Sequence, residues 1–160
     1  MESLEQLSFI VWVRESGSLW GYATFLFLHT LGLSTLAGVS AGVDLRVLGF
    51  APGIPLPPMK RLFPLMWGAF ALTAFSGIVL LMTETSKATM PVFLLKLTFI
   101  ALAIGTLRLI YLRVLSSPQA EAGTIPPGGR MLAIASLMFW VGATIAGRLM
   151  AYLTPAGGGF

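Results

Sequence analysis

The sequence contains no cysteine. Disulfides, thiolate zinc sites and iron–sulfur clusters held by this chain alone are therefore excluded. Charge is scarce too: Asp, Glu, Lys and Arg make up 10% of the 160 residues, too little to solvate an ordinary soluble domain. There is one histidine, and no histidine–carboxylate pair stands at metal spacing. A P-loop and a Gly-x-Ser-x-Gly elbow are also missing, so no catalytic set for hydrolysis is evident. Met1 to Gln6 carries Glu2 and Glu5 and no basic stretch, so a secretory signal peptide is not expected there.

What is present is apolar. Hydrophobic residues make up 56% of the chain, and several runs exceed the roughly 18 residues that mark a transmembrane helix. The spans are expected at about 22–44, 62–82, 90–112 and 131–153. An all-α integral membrane protein follows, a four-helix bundle in one domain over 1–160. Ahead of it, residues 4–14 read as an interfacial helix, with Leu4, Leu7, Val11 and Arg14 at helical spacing between Glu2, Glu5 and Glu15. Trp20 and Tyr22 mark an interface belt. Gly49 to Pro58 and Ser116 to Gly129 are Pro/Gly loops that cannot continue a helix.

The net charge of +4 is not a nucleic-acid signal, because the basic residues flank or interrupt apolar spans. They act as topology determinants. The two Pro/Gly loops and their flanks carry Arg46, Lys60, Arg61, Arg108, Arg113 and Arg130, whereas the opposite side has Arg14 and Lys87. The positive-inside rule places both loops in the cytoplasm of a bacterial inner membrane, with both termini periplasmic.

The two halves resemble each other. Leu45-Arg46-Val47-Leu48 recurs 67 positions on as Leu112-Arg113-Val114-Leu115, Gly38 falls on Gly105, and His29 falls on Lys96. Ile54-Pro55 recurs as Ile125-Pro126 within the loops. Each half is thus a helical hairpin entering from the same side, a parallel repeat about an axis along the membrane normal.

His29 sits inside the run Leu26 to Leu33. An ionisable residue within a span is costly and marks a functional site by default. At about 1.5 Å per residue, His29 lies roughly 10 Å below Tyr22, Lys96 about 9 Å below Met90, and Arg148 about 8 Å from Leu153. Three cationic or titratable side chains therefore share one layer near the outer face, with Glu84 above them and Met82, Met90 and Met150 among them. A haem b wants that arrangement: imidazole on iron through His29, cations for the propionates at Lys96 and Arg148, and room for a porphyrin edge at Gly32, one turn away. The sixth ligand would be a methionine or a second chain's His29. Copper(I) is the alternative, held by His29 with Met82, Met90 or Met150; Lys96 and Arg148 would repel it. In a purely structural subunit His29 bonds across helices and the two cations snorkel.

Trp140 lies mid-span, so its indole N–H needs a buried partner. Asp44 and Arg108, near the loop end, read as a structural salt bridge. Ser34, Gly38 and Gly42 form one small-residue stripe, and Gly142, Ala143, Ala146 and Gly147 form others, suited to the bundle, a homodimer or a larger membrane complex.

Phe93-Leu94-Leu95-Lys96-Leu97-Thr98-Phe99 resembles the Leu-Leu-Lys-Leu segment of CopD-type copper-resistance membrane domains, and Ser76-Gly77 their Thr-Gly-rich span. The His29 helix is similar to their first helix and to the small HemJ-type protoporphyrinogen oxidases, which bind haem. Asp44-Leu45-Arg46-Val47-Leu48-Gly49 resembles the Asp-Leu-Arg-Leu-Leu-Gly exit of a group of uncharacterised four-span bacterial proteins. The resemblance covers about 18–153 and implies a four-helix membrane bundle concerned with haem, as an electron carrier or redox subunit, or with copper.

Overall fold

A computed structural model describes residues 7–15, 20–83, 85 and 90–153. Among the described residues its regular structure is all helical, and four of its helices are long and apolar enough to cross a membrane. In chain order the elements are α1 (Ser8–Glu15), α2 (Tyr22–Leu48), a 3-10 turn (Pro57–Leu62), α3 (Phe63–Thr83), α4 (Pro91–Ile110) running into a π-helical turn (Tyr111–Leu115), α5 (Pro118–Glu121) and α6 (Gly129–Leu153). The protein is an all-α four-helix membrane bundle.

The first span is longer than its sequence suggests. Asp44 and Arg46 do not close α2, which runs on to Leu48. The stop is Gly49, at φ 108°, a left-handed conformation that costs glycine nothing. Its N–H donates to the Arg46 carbonyl at 3.1 Å, and the Phe50 N–H to the Leu45 carbonyl at 3.0 Å. These two bonds make a Schellman cap. Arg46 then turns back along the loop. Its Nε donates to the Ile54 carbonyl and its second guanidinium nitrogen to the Pro52 carbonyl at 3.2 Å. The repeat equivalent diverges: Arg113 is exposed, within the π-helical turn. What the repeat does preserve is Val47 and Val114, both at 0% exposure. A shared tetrapeptide has thus been folded around a shared buried valine but with different helix ends, because Gly49 follows one copy and Ser116 the other.

Packing is within hairpins first. α2 lies along α3, α4 along α6, and α2 against α6 joins the two hairpins. The pseudo-equivalent contact, α3 with α4, is all but absent, so the two halves do not pack symmetrically. The core runs through Leu36, Val43 and Val47 of α2, Met66 and Ala69 of α3, Ala103, Leu107 and Ile110 of α4, and Ala133 and Trp140 of α6. Trp140 has the partner its depth demands: Nε1 donates to Ser40 Oγ at 2.9 Å across the α2–α6 interface.

Two expectations change. α1 begins at Ser8 and leans on α3 through Ile10 and Val13, both buried, while Leu7 is exposed. The anchor that turns it is aromatic: Phe9 meets Phe25 edge-on at 6.1 Å, and Phe25 meets Phe75 at 6.4 Å. Leu4 and the Arg14 side chain lie outside the described residues. The expected Asp44–Arg108 salt bridge does not form. Asp44 is fully buried, nearest the Ser40 and Ser136 hydroxyls, whereas Arg108 lines the gap between α3 and α4.

Candidate functional site around His29

After Tyr22, His29 is the one titratable side chain in the N-terminal half of the first span, and the second span carries Thr73 and Ser76 one helical turn apart. α2 and α3 cross so that these meet. His29 Nδ1 donates to the Thr73 backbone carbonyl at 3.0 Å. Ser76 Oγ lies 3.4 Å from the same nitrogen, while its own proton is given to the Leu72 carbonyl at 2.6 Å. Thr73 Oγ1 likewise donates back to Ala69 at 2.8 Å. Both hydroxyls are satisfied within α3, so the Thr73 carbonyl is the ring's acceptor. This fixes the tautomer: Nδ1 carries the hydrogen and Nε2 keeps its lone pair.

Two glycines make the contact possible. At Gly77 a Cβ would stand 2.9 Å from His29 Cε1 and 3.2 Å from Nδ1. The imidazole therefore lies in the space that any other residue would fill. At Gly32, one turn beyond His29 on α2, a Cβ would meet the Ala69 carbonyl oxygen at 2.9 Å and Thr73 Oγ1 still closer. Gly32 is buried. It does not leave room for a porphyrin edge, because α3 already fills that room; its role is to let the two helices approach near His29.

The other proposed site residues divide. Lys96, on α4, is half-buried beside Gly147 of α6, where a Cβ would lie 3.7 Å from its Cε. Its charge reaches the His29 ring electrostatically. Arg148 is the next residue along from Gly147 and is exposed, about 100° further round α6. Met82, Met90 and Met150 are each half-buried, and Glu84 lies outside the described residues. Among the described residues no three His, Asp or Glu side chains gather as a metal cage.

The residues that reading the sequence did not single out as site residues are Thr73, Ser76 and Gly77. Their signal was present: Thr73, Ser76 and Gly77 fall at i, i+3 and i+4 on one face of an otherwise apolar helix. Comparison with protein-family models, with characterised proteins and with solved structures finds no match. The chemistry of the His29 layer therefore carries the functional reading.

Proposed function

We propose that this protein binds a b-type haem in the membrane through His29 and serves electron transfer, alone or as a small subunit of a redox complex. One observation carries the reading. His29 gives its Nδ1 hydrogen to a backbone carbonyl and keeps the Nε2 lone pair. Metal-ligating histidines are held in this way, since the second-shell acceptor fixes the ring and makes the free nitrogen more basic. Lys96 supplies a positive charge at the same depth, matched to a propionate. Bound haem supplies a one-electron couple at that level. The chain's own residues orient the ring, hold its proton on Nδ1, and surround it with apolar helices that exclude water.

The test is an absorption spectrum of the detergent-purified protein from haem-supplied cells, oxidised and then reduced with dithionite, with metal analysis on the same sample. A Soret band with sharp reduced bands, lost in His29→Ala and weakened in Gly77→Ala, is the expected result. Gly77→Ala keeps the ligand but pushes on the ring, so it separates ligation from simple presence of a histidine. A featureless spectrum, or haem content unchanged in His29→Ala, overturns the reading. Copper bound in place of haem would reassign His29 to a Cu(I) site with methionine ligands.

The orientation is part of the same proposal: loops in the cytoplasm, termini in the periplasm, in a bacterial inner membrane. The absence of cysteine makes this easy to check. Gln119→Cys, in the second loop, is expected to resist a membrane-impermeant maleimide in intact spheroplasts, and Thr85→Cys, between α3 and α4, to react. The opposite labelling pattern would invert the topology.

A further inference from the structure

The gap between α3 and α4 is shaped and charged. At the loop end of the bundle it forms a cavity of about 350 Å³ lined by Lys60, Phe63, Trp67, Ile104, Arg108 and Tyr111, among others. Its floor is aromatic, with the Phe63 and Tyr111 rings 4.6 Å apart. Among the described residues no carboxylate lines it. Two cations from different elements, the 3-10 turn and α4, therefore face one opening without a counter-charge among the described residues.

We propose that this cavity is a binding site for the headgroup of an anionic phospholipid, independent of the haem reading. Three features select that ligand. Lys60 and Arg108 supply the positive charge that a phosphodiester needs, Arg with a planar donor fork and Lys with a compact ammonium. Trp67 and Ile104 belong to the membrane-spanning helices, so the wall beside the charged mouth is apolar and suits the start of an acyl chain. The cavity also lies at the end of the bundle where Arg61, Arg113 and Arg130 are exposed. Basic pockets between spans on the cytoplasmic side are where anionic headgroups bind. A soluble anion would use the two cations but leave the apolar wall uncovered. A lipid uses both, and it fills the space that α3 and α4 fail to close against each other.

The experiment uses the full chain purified in a zwitterionic, phosphatidylcholine-containing micelle. Phosphatidylglycerol, cardiolipin, further phosphatidylcholine or inorganic phosphate is added, and bound lipid is read by native mass spectrometry alongside the melting temperature. Phosphatidylglycerol or cardiolipin is expected to remain bound and to raise the melting temperature, whereas phosphatidylcholine and inorganic phosphate do neither. The double variant Lys60→Gln/Arg108→Gln is expected to bind the anionic lipid roughly tenfold or more weakly. Arg113→Gln, exposed at the same end but not lining the cavity, keeps the wild-type affinity. Equal binding of phosphatidylcholine, an equal loss in Arg113→Gln, or an equal thermal shift from inorganic phosphate would each overturn the proposal; the last would make the site one for a free anion. A double variant that melts below wild type before any lipid is added is still read by the ratio of lipid bound with and without the two charges, and an unchanged ratio counts against the site.

Discussion

Gly32→Leu is expected to force α2 away from α3 and to destabilise the bundle by about 3 kcal/mol. The first carbon of the new side chain already meets backbone: it would stand 2.9 Å from the Ala69 carbonyl oxygen and closer to Thr73 Oγ1. A flexible side chain could turn aside, but a helix carbonyl cannot, so the helices themselves must shift. In a membrane this matters more than the loss of any single apolar contact. Lipid tails are as apolar as leucine, and close packing at small residues is a main source of helix–helix affinity. The shift also reaches His29, one turn away on the same face, whose ring is held by the Thr73 carbonyl at 3.0 Å. Gly32→Leu should therefore lower stability and, if the proposed haem is bound through His29, haem content with it, whereas Gly38→Leu, at a position where a Cβ meets nothing within 4 Å, should leave both near wild type. Denaturant or thermal titration in micelles, with the Soret absorbance as a second readout, checks the pair. Equal losses at 32 and 38 would show that the α2–α3 approach is not the cause.

Asp44→Asn is expected to act in the opposite direction and to stabilise the protein by roughly 1–3 kcal/mol. Asp44 is at 0% exposure. Its nearest polar neighbours are the hydroxyls of Ser136 and Ser40, but among the described residues neither carboxylate oxygen has a hydrogen-bond partner, and Ser136 Oγ has none either. Ser40 Oγ already accepts from Trp140 Nε1. The serine hydroxyls are possible donors to a carboxylate, but a charge buried here without an ion partner is costly. An asparagine of the same shape removes the charge and brings two N–H donors for the serine oxygens. A raised melting temperature in micelles is the expected result. A fall would mean that the carboxylate is already satisfied, by the two serine hydroxyls or by a bound water.

The sites differ in how far the chain alone disclosed them. His29 stands out in a sequence because a lone titratable residue in an apolar run is costly wherever the run is placed. Its depth, close to that of Lys96, follows from counting residues along helices of known rise. The companions Thr73, Ser76 and Gly77 are less visible, since small and hydroxyl residues are common in spans and say nothing of the face they share until a second helix is laid against it. Gly32 illustrates the limit. On α2 alone a small residue beside a histidine reads as space; only α3 shows that the space is already taken. Arg148 and Lys96 lie at similar depth, yet one is exposed and one packs between helices, a difference of rotation that a residue count does not contain.

The sequence by itself determined that the protein is helical, that four helices are long and apolar enough to span a membrane, and where the Pro/Gly loops separate them, because length, apolarity and Pro/Gly punctuation act locally along the chain. Only the tertiary structure decided which face of each span meets which neighbour, that α2 joins α6 while α3 and α4 stand apart, and that two copies of Leu-Arg-Val-Leu end their helices differently. The physical reason is the solvent. In water a helix turns its apolar face inward and so announces its rotation, but in lipid both faces are apolar. The orientation of the spans is then fixed by a few close approaches and polar bonds, Gly32 on Ala69, His29 on Thr73 and Trp140 on Ser40, each of which needs both partners in place before either can be read.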